Sequence, residues 1–121
     1  MTGPAATLRL RLLFGNQLVL GPGKAELLAG IRDTGSIAAA GRAMGMSYKR
    51  AWSLVDEMNA AFASPLVTSA RGGAGGGGAA LTQTGLTVLD AYQSIVARTL
   101  CDNEAALAGI AALLRDMSGG K

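Results

Sequence analysis

Residues 46–59, MSYKRAWSLVDEMN, set a hydroxyl, a phenol, an ammonium and a guanidinium side by side at Ser47, Tyr48, Lys49 and Arg50, and delay the first carboxylates to Asp56 and Glu57. Such a group suits a polyanion. Arginine can fork onto a guanine edge, while lysine, serine and a free backbone amide meet phosphate oxygens. The apolar residues Ala51, Leu54, Val55, Met58 and Phe62 recur at helical spacing, so a helix here buries that stripe and turns Lys49, Ser53 and Asp56 roughly the opposite way. Trp52 stands one position off the stripe beside Tyr48, where half-buried packing is expected because aromatic rings carry large buried area.

The second segment that could do chemistry is Gly72, Gly73, Ala74, Gly75, Gly76, Gly77 and Gly78. A run so rich in glycine favours neither helix nor strand. Lacking side chains, its backbone can approach phosphates closely and donate N–H groups, with Arg71 supplying charge at its base. Gly73, Gly75 and Gly78 also satisfy G-x-G-x-x-G. A dinucleotide site, however, needs a helix opening at the loop within a βαβ unit, and Ala79–Leu81 reads as a strand instead. No Gly-Lys-Ser/Thr follows, which excludes a P-loop.

Enzyme chemistry finds no footing. The chain has no histidine, and its sole cysteine, Cys101, lies in an acidic stretch that disfavours the thiolate. The pairs Asp56-Glu57 and Asp102/Glu104 read as solvated helix surface, and no ligand set has metal spacing. No catalytic residue, metal or cofactor is expected.

The elements that must position these groups follow from periodicity. Residues 8–20, LRLRLLFGNQLVL, predict a β-hairpin: Leu8, Leu10 and Leu12 alternate with Arg9, Arg11 and Leu13, and Gly15-Asn16 supplies the turn. Helices follow over 24–62. The first runs from about Lys24 to Asp33 and stops at Gly35; the second is capped by Ser36 and ends at Gly45; the third is capped by Ser47 and ends before Pro65. Residues 66–81 predict two short strands around the glycine loop. Thr82 caps a long final helix, 82–115, with a seam at Val96, Leu100, Asn103, Leu107, Ile110 and Leu114. That seam outruns what a small domain can cover, which predicts a homodimer. The expected fold is mainly α with a small β component: a single winged helix-turn-helix domain over 1–121, with an N-terminal β-hairpin and a long C-terminal dimerisation helix.

Composition agrees. The chain has 121 residues, enough for one modest core. Its 50% hydrophobic content predicts a globular protein, and the 4% aromatic content suits helices better than a sandwich. The net charge of +3 permits an anionic partner without identifying one. Its distribution is more telling: residues 36–55 hold Arg42, Lys49 and Arg50 and no acid, whereas acids gather beyond Asp90. A single cysteine forbids an internal disulfide, and no apolar run reaches the roughly 18 residues of a membrane span. A cytoplasmic protein is expected, with no membrane partner.

Three segments resemble the ModE family of molybdate-responsive transcriptional regulators: GSIAAAGRAMGMSYKRAWSLVDEMN (35–59), GGAGGGGAALT (72–82) and TQTG (82–85). The first is shared more loosely with LysR-type helix-turn-helix proteins; SYKRAW joined to a polyglycine wing is specific to ModE-like chains. The resemblance implies a homodimer on a palindromic operator in double-stranded DNA near molybdenum-related genes. It also implies DNA contacts from Ser47, Tyr48, Lys49, Arg50 and Arg71, beside which Ser36, Ser53, Gly72, Gly73, Gly75 and Gly76 complete the expected interface. Many members carry a lysine within the glycine loop where this chain has Ala74. Family members continue into β-barrels that bind molybdate, with no counterpart before Lys121, so no molybdate site is expected. DNA binding would then be constitutive or take its signal from a partner protein. The alternative function is a protein-interaction module that pairs with a full-length regulator.

Overall fold

Helix-stop chemistry organises the computed structural model, which describes residues 5–70 and 78–115. Helix α1 (Pro22–Thr34) opens on a proline, whose fixed φ suits a first helical turn, and therefore begins two residues before the predicted Lys24. It closes at Gly35, which takes the left-handed conformation with φ 71° while its N–H donates to the Ile31 carbonyl at 2.8 Å. Helix α2 (Ile37–Ala43) follows at once, capped by the Ser36 hydroxyl, which accepts from the Ala39 N–H at 2.9 Å. Helix α3 (Tyr48–Ala61) completes a three-helix core.

Two antiparallel hairpins flank these helices. Strands β1 (Leu12–Phe14) and β2 (Gln17–Leu20) turn through Gly15, with Leu12 opposite Leu20 and an irregularity between Leu12 and Leu13. This hairpin is shorter than the predicted 8–20. Residues 8–11 would need partners beyond Leu20, where Pro22 has already turned the chain into α1. The alternation survives nonetheless: Leu8, Leu10 and Leu12 are half-buried, while Arg9, Arg11 and Leu13 are exposed. The Tyr92 hydroxyl donates to the Leu10 carbonyl at 2.6 Å and holds this stretch. Strands β3 (Val67–Ala70) and β4 (Gly78–Leu81) pair in register, Val67 opposite Leu81 and Ser69 opposite Ala79.

The predicted single helix over 82–115 is instead two. Helix α4 (Gln83–Asp102) is capped by the Thr82 hydroxyl, and α5 (Glu104–Ala112) follows after Asn103. The Asn103 amide donates to the Thr99 carbonyl at 2.8 Å and its backbone N–H to the same oxygen at 3.2 Å. A short amide side chain competes with the helix ladder in this way. Nothing in α5 is buried, so no packing opposes the break.

The core is aliphatic. Leu20, Leu27, Leu28, Ile31, Val55, Met58, Leu66 and Leu89 are all but sealed from water, each worth roughly 1.5–3 kcal/mol by transfer. Close helix approach needs small residues: a Cβ on Gly30 would stand 2.9 Å from the Ala40 Cβ, and one on Gly41 2.8 Å from the Ala51 Cβ. The first approach joins α1 to α2 and the second joins α2 to α3. Among the described residues the fold is mainly helical with short antiparallel strands, and no described helix is long and apolar enough to cross a membrane.

Candidate nucleic-acid interface

The turn between α2 and α3 decides where the cationic residues point. Gly45 takes φ 74°, which costs a residue with a Cβ dearly. The Met46 N–H donates back to the Gly41 carbonyl and the Gly45 N–H to the Arg42 carbonyl, each at 3.0 Å. This pairing is a Schellman stop. The chain leaves it extended, and the Ser47 hydroxyl accepts from the Arg50 N–H at 3.0 Å to start α3. Only two residues after the left-handed glycine, the helix is under way.

Burial along α3 matches the predicted stripe. Ala51, Leu54, Val55 and Met58 are buried, and Phe62 ends the helix half-buried. The four consecutive residues Ser47, Tyr48, Lys49 and Arg50 are all exposed, as is Ser53. No acid lies in the first turn, and Lys49 and Arg50 make no salt bridge among the described residues. Trp52 is half-buried against the core and meets Tyr48 edge-on. Along this outer face runs a shallow open concavity lined by Tyr48, Lys49, Trp52, Ser53, Asp56 and Glu57. The cations stand at the helix N-terminus, where the unsatisfied N–H groups and the helix dipole also favour anions.

The other predicted residues divide. Ser36 is half-buried and its hydroxyl is engaged as the α2 cap. Arg71, Gly72, Gly73, Gly75 and Gly76 lie outside the described residues, so only the arms of the β3–β4 hairpin are described. In the predicted dimer seam, Val96 packs against this chain's own core and Leu100 and Leu107 are half-buried, whereas Asn103, Ile110 and Leu114 are exposed. Adjacent Leu113 is 87% exposed. Cys101 is a free, exposed thiol.

Three positioning features carry almost no signature in the sequence. Asn59, on α3, accepts from the Leu66 N–H at 2.8 Å and the Val67 N–H at 3.1 Å, and donates to the Val67 carbonyl at 3.1 Å. It thereby ties the end of α3 to the start of β3. The Gly35 carbonyl accepts from the Ala79 N–H at 2.9 Å, tying β4 to the α1–α2 turn. Lys24 on α1 pairs with Glu57 on α3 at 3.2 Å, its side chain 12% exposed against 52% for Glu57. Asn59, Lys24 and Glu57 leave only polar side chains within helical segments as a trace, and the Gly35–Ala79 bond, made by backbone atoms, leaves none.

No protein-family model matches the chain. It is, however, 50% identical over 78 residues to the molybdenum-pterin-binding protein MopB of Rhodobacter capsulatus, a span of 64% of this chain and 29% of MopB. It is 39% identical over 87 residues to the DNA-binding transcriptional dual regulator ModE of Escherichia coli, 72% of this chain and 33% of that protein. The molybdenum transport protein ModE of Azotobacter vinelandii is 34% identical over 95 residues, 78% of this chain and 34% of that protein. Over this span the chain is ModE-like. It matches about a third of the length of these relatives.

Proposed function

We propose that these residues form the DNA-binding part of a molybdenum-related transcriptional regulator acting in the cytoplasm. In this reading α2 and α3 are a helix-turn-helix, α3 is the recognition helix and β3–β4 is the wing. The observation that carries it is the run of four exposed residues, Ser47 to Arg50, opening α3 immediately after the Gly45 turn with no acid in the first turn. A recognition helix meets base edges through its N-terminal residues, and the mix of hydroxyl, phenol, ammonium and guanidinium at that end suits both bases and phosphates. The reading also assigns contacts with the duplex to Ser36 at the start of α2, to Ser53 on α3, and to Arg71, Gly72, Gly73, Gly75 and Gly76. The regulator names of the ModE relatives support the same role.

Two copies then bind a palindromic operator with recognition helices about 34 Å apart. The exposed apolar side chains of Ile110, Leu113 and Leu114 support pairing through the C-terminal helices, with Leu100, Asn103 and Leu107 continuing that seam and Val96 packed on this chain's own core. Binding to a duplex selected from a random pool, measured by anisotropy across a salt series, tests the reading. Affinity is expected to fall steeply with salt, and Lys49→Ala and Arg50→Ala each to lower the log–log slope by about one for each phosphate left without its cation. Unchanged binding in both variants refutes the interface.

The exposed α5 side chains also favour a second reading, a module that pairs with a full-length regulator and does not bind DNA by itself. Failure to shift any duplex alone, with capture of the regulator, would favour it. The name of the relative at 50% identity raises a third reading, molybdenum-pterin binding by these residues. Equilibrium dialysis against that ligand tests it, with no uptake expected.

A further inference from the structure

Phosphate binding alone gives no reason for the aromatic pair at the tip of α3. Tyr48 is 59% exposed, in a chain whose aromatic content is only 4%. Its ring meets Trp52 edge-on, centroids 6.2 Å apart and planes at 81°. Trp52 is half-buried and packed on the core, so an anchored indole braces an outward phenol ring. Apolar ring surface left in water is unfavourable until a partner covers it.

The surroundings restrict that partner. Lys49 lines the same concavity as the rings and Arg50 is exposed in the same helical turn, so the surroundings select an anion. Asp56 and Glu57 line the far end of the same concavity, eight and nine residues on, roughly 12–14 Å along the helix axis. Glu57 is paired with Lys24, but Asp56 makes no salt bridge among the described residues and repels a phosphate backbone, so the helix engages a duplex through its first turn, which is where the rings stand. Within a major groove the base edges offer hydrogen-bond donors and acceptors, and the one apolar group is the 5-methyl of thymine.

Resting on the DNA-binding reading above, we infer that Tyr48, braced by Trp52, covers the 5-methyl group of a thymine and so sets base preference at that position of each half-site. The ring face does the reading, and the phenolic hydroxyl is not needed for it.

The test uses the full chain and a duplex selected from a random pool, with each thymine replaced in turn by uracil. At one position per half-site the removal of the methyl is expected to weaken binding about fourfold. That is the effect of one buried methyl at about 0.8 kcal/mol, with tenfold per 1.4 kcal/mol. The salt slope stays unchanged, because every phosphate keeps its cationic partner. Tyr48→Phe keeps the thymine-over-uracil preference and Tyr48→Ala abolishes it; the exposure of this side chain leaves folding intact in both. Salt-dependent binding that is indifferent to uracil at every position overturns this inference alone, as does full discrimination by Tyr48→Ala. Absence of salt-dependent duplex binding removes the DNA-binding reading and this inference with it.

Discussion

Gly85→Ala is the sharpest test of how the β3–β4 hairpin is held against the helices. Gly85 lies buried in the first turn of α4, its N–H donating to the Thr82 hydroxyl at 2.9 Å. An added Cβ would overlap the Leu66 carbonyl oxygen and stand 3.0 Å from that carbonyl carbon and 3.3 Å from its Cα. All three are backbone atoms of a residue packed in the core, so no flexible side chain can yield. The same oxygen accepts from the Thr82 N–H at 2.9 Å and, more weakly, from its hydroxyl at 3.3 Å. Relieving the overlap means moving α4 away from the start of β3 by an ångström or so. Overpacking of this kind costs about 1–3 kcal/mol, and weakening the Thr82 bonds adds about 0.5–1.5 kcal/mol. The helix preference for alanine returns at most about 1 kcal/mol. The net loss is about 0.5–4 kcal/mol, which for a chain of this length lowers Tm by roughly 2–16 °C. Thermal and urea denaturation followed by circular dichroism measures it. Gly109→Ala is the matched control: a Cβ there meets nothing within 4 Å, and in α5 it should leave stability level or raise it by up to about 1 kcal/mol. Equal stability of Gly85→Ala and the parent protein would refute the packing of α4 on Leu66.

Asn59→Ala leaves the Leu66 and Val67 N–H groups without their acceptor, and should cost about 1–3 kcal/mol in urea denaturation. The Lys24–Glu57 pair should respond asymmetrically. Lys24→Met leaves a half-exposed carboxylate that water can solvate and costs under about 1 kcal/mol, whereas Glu57→Ala strands a largely covered ammonium and costs more; paired urea curves decide it, and equal losses would refute the asymmetry. With no histidine in the chain, duplex affinity should be flat between about pH 5.5 and 7.5, as binding isotherms across that range would report. A hydrogen bond from Arg32 at 2.9 Å holds the Asp33 carboxyl below its ordinary value. Any stability from that pair is present above the ordinary aspartate range and fades as pH falls through the lowered value. Because both side chains are exposed, Asp33→Asn should leave Tm at neutral pH unchanged.

Much of the molecule is legible from residue types alone, because its helix ends are set by local chemistry. Ser36, Ser47 and Thr82 cap α2, α3 and α4 with their own hydroxyls, and Gly35 and Gly45 take the left-handed conformation that stops a helix. These interactions reach no more than a few residues, so they are written in the order of the chain. The stripe on α3 is equally local: its period fixes which residues face inward, and Tyr48, Lys49 and Arg50 turn outward as a consequence.

What the order of residues does not carry is competition between distant partners. The first hairpin is short because Pro22 removes the strand that residues 8–11 would need, and Tyr92, far along the chain, holds Leu10 instead. The final helix breaks at Asn103, whose amide takes the Thr99 carbonyl, because past Val96 little of the core remains to oppose the break. The clamp of Asn59 on Leu66 and Val67, the reach of Lys24 to Glu57 and the need for glycine at position 85 arise only when separate elements meet. Caps and periods act over one or two turns and belong to the sequence; steric exclusion and polar pairing between elements act across the fold and exist only once it has closed.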